Sequence, residues 1–147
     1  MTANVGTITP SNNLNQWSRN YNPALFLGNI SIAQFLNVQL APATDGLVYN
    51  AGTILARYTS GPNVGKYVNY VTGGTNGQDV MVGVLSDNRV PTNYTTPAAN
   101  DRLQMVYGGA NIFLQYLYTP LGTSADVLVA LATMGARTYN STFAYLP

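Results

Sequence analysis

The fold is decided in residues 53–85, TILARYTSGPNVGKYVNYVTGGTNGQDVMVGVL. Three runs within it, 53–58, 66–71 and 80–85, are rich in Ile, Leu, Val and Tyr and too short to be helices. Between them stand Ser60-Gly61-Pro62-Asn63 and Gly73-Gly74-Thr75-Asn76-Gly77, residues that set tight turns. Short β-prone runs bounded by Gly, Pro and Asn read as strands joined by turns.

The texture extends in both directions. Upstream, 26–40 is apolar and β-prone and ends at Pro42. A turn at Asp45-Gly46 leads to a short run at 47–49. Downstream, 103–107 and 111–118 read as strands around Gly108-Gly109, while 90–100 holds Pro91 and Pro97 without periodicity and reads as a long loop. One helix is expected at 124–134, with Thr123 or Ser124 as cap, Asp126 in the first turn and Gly135 as terminator. Val127, Leu128, Leu131 and Met134 share one face of it. Residues 137–146 alternate Tyr139, Ser141, Phe143 and Tyr145 as a last strand. The expected fold class is mainly β, a small sandwich or barrel-like domain with one short C-terminal helix and an extended N-terminal arm.

Composition narrows function. Only 7% of the 147 residues are charged, against roughly 25% in an ordinary soluble domain. There is no histidine, cysteine or glutamate, so the usual proton shuttle, the strongest nucleophile and a common general base are missing. No cofactor is expected and no enzyme. The six cations form no run, which argues against nucleic acid. Residues 1–14 lack a basic segment followed by an apolar one, so no signal peptide is expected, and 127–132, the longest apolar run, is too short for a membrane span. Eleven tyrosines and many Asn, Thr and Gly residues leave a surface that repels its neighbours weakly, one suited to being covered by other protein.

Other motifs carry less. Gly61-Pro62-Asn63-Val64-Gly65-Lys66-Tyr67 has one residue too few between its glycines for a phosphate-binding loop, and Tyr67 stands where Ser or Thr is needed. Sequons at Asn29, Asn93 and Asn140 occur about as often as this composition yields by chance. Asp45, Asp79, Asp87, Asp101 and Asp126 do not have the spacing of a calcium loop, and no metal site is expected.

The first 24 residues differ from the rest, with isolated apolar residues and Pro10 and Pro23 as breakers. They read as an arm, 1–24, ahead of a β-rich domain, 25–147. Val5, Thr7, Ile8 and Thr9 suit strand addition to a partner's sheet edge, and Trp17 and Tyr21 suit aromatic anchoring. About 20 extended residues span roughly 65 Å. In 111–118, Phe113, Tyr116 and Tyr118 alternate with Ile112, Leu114 and Leu117, and one set is a candidate seam between subunits.

The cadence of Ala51-Gly52-Thr53-Ile54-Leu55-Ala56, Gly65-Lys66-Tyr67-Val68 and Val80-Met81-Val82-Gly83-Val84-Leu85 with Asp87 resembles the lambda-type head decoration, or capsid cement, proteins of tailed bacteriophages. As a residue pattern the resemblance covers 52–87, and as an order of elements about 46–146. It implies a homotrimer at three-fold and quasi-three-fold positions on the outer surface of the virion capsid. There it clamps neighbouring copies of the major capsid protein against internal DNA pressure, with neither nucleic acid nor membrane as partner. The protein would be made in the host cytoplasm. Phe113, Tyr116 and Tyr118 are then the candidate trimer seam and 1–24 the capsid-binding arm. The alternatives are another virion component, such as a tail-fibre or spike domain, and a carbohydrate-binding β-module. A fibre domain would be expected to carry repeats or heptads, and none is present.

Overall fold

A computed structural model describes Leu25 and residues 33–108, 111–113, 117 and 137–139. Seven strands follow in order: β1 Gln34–Val38, β2 Ile54–Arg57, β3 Tyr67–Asn69, β4 Met81–Leu85, β5 Leu103–Gly108, β6 Asn111–Phe113 and β7 Arg137–Tyr139. The first five form one antiparallel sheet in the order β1-β5-β4-β2-β3. The protein is mainly β. The expected arm and the expected helix at 124–134 lie outside the described residues.

The sheet's two outer strands are joined. Beyond Val38 the chain of β1 runs on to Leu40, which forms a parallel bridge with Tyr67 of β3. Ala41 N donates to the Tyr67 carbonyl at 2.7 Å, and Tyr67 N donates to the Gln39 carbonyl at 2.9 Å. One segment, 34–41, therefore pairs with β5 at one end and β3 at the other. Backbone pairing runs round a closed circuit, the arrangement that removes sheet edges.

Alternation along the strands sends neighbouring side chains to opposite faces. Leu55, Leu85, Leu103, Met105, Val38 and Leu40 gather with Tyr49 on one face. Ile54, Met81, Val84 and Val106 meet Leu25, Ile112 and Leu117 on the other. Burial on both faces explains why β4 and β5 read as nearly continuous apolar runs rather than as a clean alternation. Tyr49 is fully buried, and its hydroxyl donates to the Ala41 carbonyl at 2.8 Å, so the polar tip is satisfied beside the closure.

Turn chemistry sets the register. Gly52 takes φ +96°, a conformation open to glycine at little cost, and the turn is held by Thr53 N on the Asn50 carbonyl. Gly52 N and the Thr53 carbonyl then pair with Leu85, continuing the β2–β4 ladder. Gly83 has a different reason. It sits opposite Leu55, and a Cβ there would lie 2.5 Å from the Met105 sulfur and 2.8 Å from the Val106 carbonyl oxygen.

Three expectations change in detail. The run 47–49 is no strand; it contributes a single bridge, Tyr49 to Tyr94. Of the run 66–71 only Tyr67–Asn69 is regular strand; Tyr70 N still bonds the Ile54 carbonyl, and Val71 N turns to the Gln78 carbonyl. Of the last strand expected at 137–146, the described part, Arg137–Tyr139, pairs in parallel with β6, and 140–146 lies outside the described residues.

Gly83→Ala should cost about 2–3 kcal/mol, because an added methyl overpacks against backbone as well as a side chain. Gly46→Ala, with φ +80° and nothing within 4 Å of the new carbon, should cost about 1 kcal/mol from strain alone. Denaturant melts of the two variants should reproduce that order.

Candidate functional site

The described charges concentrate in one place. Of six basic and five acidic residues in the chain, Asp87, Arg89, Asp101 and Arg102 fall within 87–102. Here the chain leaves β4, makes the Pro-containing loop and enters β5.

Asp87 anchors this region. Its side chain is fully buried, and its carboxylate accepts four hydrogen bonds. Arg89 grips it through Nε on Oδ1 at 2.9 Å and Nη2 on Oδ2 at 2.6 Å. The Arg89 backbone N–H donates to Oδ1 at 2.9 Å and the Gln104 N–H to Oδ2 at 2.7 Å. Hydrogen bonding to Asp87 holds the Arg89 pKa above its ordinary value. Ser86 adds its N–H and hydroxyl, both on the Gln104 carbonyl. Side chains thus carry the β4–β5 pairing past the end of the strands. A buried carboxylate is tolerable only when its acceptor sites are filled in this way.

The loop 90–100 has no strand but is fastened down. Tyr49 N donates to the Tyr94 carbonyl at 2.8 Å, Ala43 N to the Thr95 carbonyl at 2.8 Å, and Gln39 Nε2 to the Ala99 carbonyl at 2.9 Å. The Tyr94 ring leans on Tyr49, centroids 6.4 Å apart and planes at 60°. Its hydroxyl donates to Asp101 Oδ2, which also accepts the Ala98 N–H at 3.0 Å. These bonds lower the Asp101 pKa, the Tyr94 bond most, while burial first and the Asp101 bond second push Tyr94 from 10.0 up to about 12.

Against this loop lies a cleft of about 430 Å³, bordered by Arg89, Pro91, Tyr94, Asn100, Asp101 and Arg102. Arg102 Nη1 donates to the Ala99 and Asp101 carbonyls at 3.2 and 2.9 Å. At the β2–β3 hairpin, far along the chain, Arg57 lies over the Tyr67 ring at 5.9 Å, and Val64 at its tip is 59% exposed. Among the described residues, no group of three or more His, Cys, Asp or Glu stands ready for a metal. No described helix is long and apolar enough to cross a membrane.

The sequence-expected site residues fall mostly elsewhere. Val5, Thr7, Ile8, Thr9, Trp17, Tyr21, Tyr116 and Tyr118 lie outside the described residues. Phe113 ends β6, paired with Tyr139 of β7. Of the alternating partners, Ile112 and Leu117 are buried in one core cluster with Leu25. In the sequence Arg89, Asp101 and Arg102 stand only as scattered charges, and Asp87 only as the end of the 52–87 cadence. Their concentration near one proline-containing loop, in a chain so poor in charge, was the available signal. No protein-family model matches the chain, and no curated protein matches it.

Asp87→Ala should destabilise the domain by about 2–4 kcal/mol, since it strands two backbone donors and an arginine that is itself half exposed. Its amide spectrum should change first at Arg89 and Gln104.

The Tyr94–Asp101 pair gives the loop a pH window. Asp101 has a lowered pKa, so its contribution is complete above the ordinary carboxylate range and fades as pH falls through the lowered value. Tyr94 has a raised pKa, so its contribution is complete below pH 10.0 and fades toward about 12. NMR signals of the Ala98 and Thr95 amides should hold steady between these limits, and Asp101→Asn should remove the acid limb.

Proposed function

We propose that this protein is a capsid decoration, or cement, protein. In this reading a barrel-like β domain with an N-terminal arm sits as a homotrimer on the outside of a tailed-phage head and clamps neighbouring major capsid subunits. The observation that carries the proposal is that the stretch resembling such proteins, 52–87, is one continuous structural unit. It comprises the Gly52 turn, β2, its hairpin to β3, and β4, and it ends in the Asp87 anchor.

Composition supports the same reading. A clamp works through area and shape rather than chemistry, and a seam with few charges avoids desolvating ions. Closed cyclic symmetry is the ordinary way to bury such a patch, with Phe113, Tyr116 and Tyr118 as the proposed seam. The arm then reaches neighbouring capsid subunits, pairing by backbone through Val5, Thr7, Ile8 and Thr9 and anchoring through Trp17 and Tyr21.

The test is co-sedimentation with expanded and unexpanded shells of the same phage's capsid protein, followed by imaging of the decorated shells. The proposal expects binding to expanded shells in groups of three around three-fold positions. Protein lacking residues 2–16 should stay folded yet bind at least about tenfold more weakly, with little dependence on salt, since Arg19 is the only charged side chain in 1–24. Full binding by the truncated protein would place the anchor elsewhere, and any other stoichiometry would overturn the trimer.

A further inference from the structure

The cleft beside the 90–100 loop is bordered by exposed and half-exposed polar side chains. Its polar groups are fixed in place by some of their atoms while others are left unspent. Asp101 takes both of its hydrogen bonds on Oδ2, and among the described residues none falls on Oδ1. Arg102 is held by Nη1 alone, so Nε and Nη2 keep their donors. Asn100 is exposed, and its amide makes no hydrogen bond among the described residues. Three planar groups with both donors and acceptors therefore face one space.

The other wall is apolar and stiff. Pro91, Tyr94 and Leu103 border the same cleft. The Tyr94 ring is fixed by its hydroxyl on Asp101, its backbone bridge to Tyr49 and its contact with the Tyr49 ring.

Charge decides the class of ligand. Arg89 is neutralised by Asp87 behind it, and Arg102 stands beside Asp101, so the lining carries no net charge to hold an anion or a cation. A wholly apolar ligand would strip water from the Asn100, Asp101 and Arg102 groups without replacing its hydrogen bonds. What remains is an uncharged molecule with many hydroxyls and an apolar face. We infer that this cleft is a binding site for a short neutral saccharide, with C–H groups of one ring against Tyr94 and hydroxyls bridging Asn100, Asp101 Oδ1 and Arg102. A space of about 430 Å³ lies in the range of small-molecule sites. The site stands independently of the assembly reading.

The test is a titration of the full-length, isotope-labelled protein with maltose, lactose, cellobiose and N-acetylglucosamine, followed by amide NMR. Glucuronic acid and glucosamine serve as charged comparisons. At least one neutral sugar should give saturable shifts at millimolar concentration, confined to Tyr94, Asn100, Asp101, Arg102 and their neighbours. Asn100→Ala and Arg102→Ala should each weaken that binding about tenfold, the loss expected for one hydrogen bond to a charged or pre-placed group. Asn100→Ala removes no hydrogen bond among the described residues, so it tests the site without untying the loop, and Val64→Ala at the hairpin tip should leave binding unchanged. The inference is overturned if no neutral sugar shifts the cleft, if a charged sugar binds more tightly than every neutral one, or if Asn100→Ala binds like the parent.

Discussion

Residues 34–41 must serve both edges of one sheet, and the rest of the domain is arranged around that constraint. Val38 pairs with Leu103 of β5, and two residues later Leu40 bridges Tyr67 of β3. Sheet edges are usually guarded by lysines, inward charges or prolines. This chain has one lysine and five arginines in 147 residues, too few to guard two open edges. Closure removes the need. It also explains the buried Tyr49, whose hydroxyl caps the Ala41 carbonyl where the segment changes partner.

The second dependence is on Asp87. Beyond Leu85 the β4–β5 ladder keeps the Ser86 N bond to the Gln104 carbonyl, and the Asp87 carboxylate takes the Gln104 N–H. Arg89 then ties the start of the loop to the Arg102 carbonyl at 3.1 Å. One buried charge thus fixes both ends of a loop that carries no secondary structure. A rigid loop in a fixed place is what allows half-used groups such as Asp101 and Arg102 to stay aligned in a cleft, where a floppy one would satisfy them internally.

Much of the fold was legible because turn residues mark it. Ser60-Gly61-Pro62-Asn63 and Gly73–Gly77 bracket strands that the structure shortens by one to three residues without moving. The single-bridge role of Tyr49 was not legible, because its partner Tyr94 lies 45 positions away across a loop without periodicity. Circuit closure was equally hidden, since a parallel bridge at Leu40 leaves no local pattern. The cleft could be read only weakly. Asp87 looks like any turn aspartate until its burial is known, and the pairing of Tyr94 with Asp101 depends on how the loop folds back.

Native-state hydrogen exchange tests the closed circuit most directly. The amides of Ala41 and Tyr67 make the closing bonds, and that of Leu85 lies in the middle of the sheet, bonded to the Thr53 carbonyl. If the sheet is one closed unit, all three should exchange only through global unfolding, with the same dependence on denaturant. Exchange of Ala41 and Tyr67 through local fraying, while Leu85 stays protected, would contradict the closure on which this account rests.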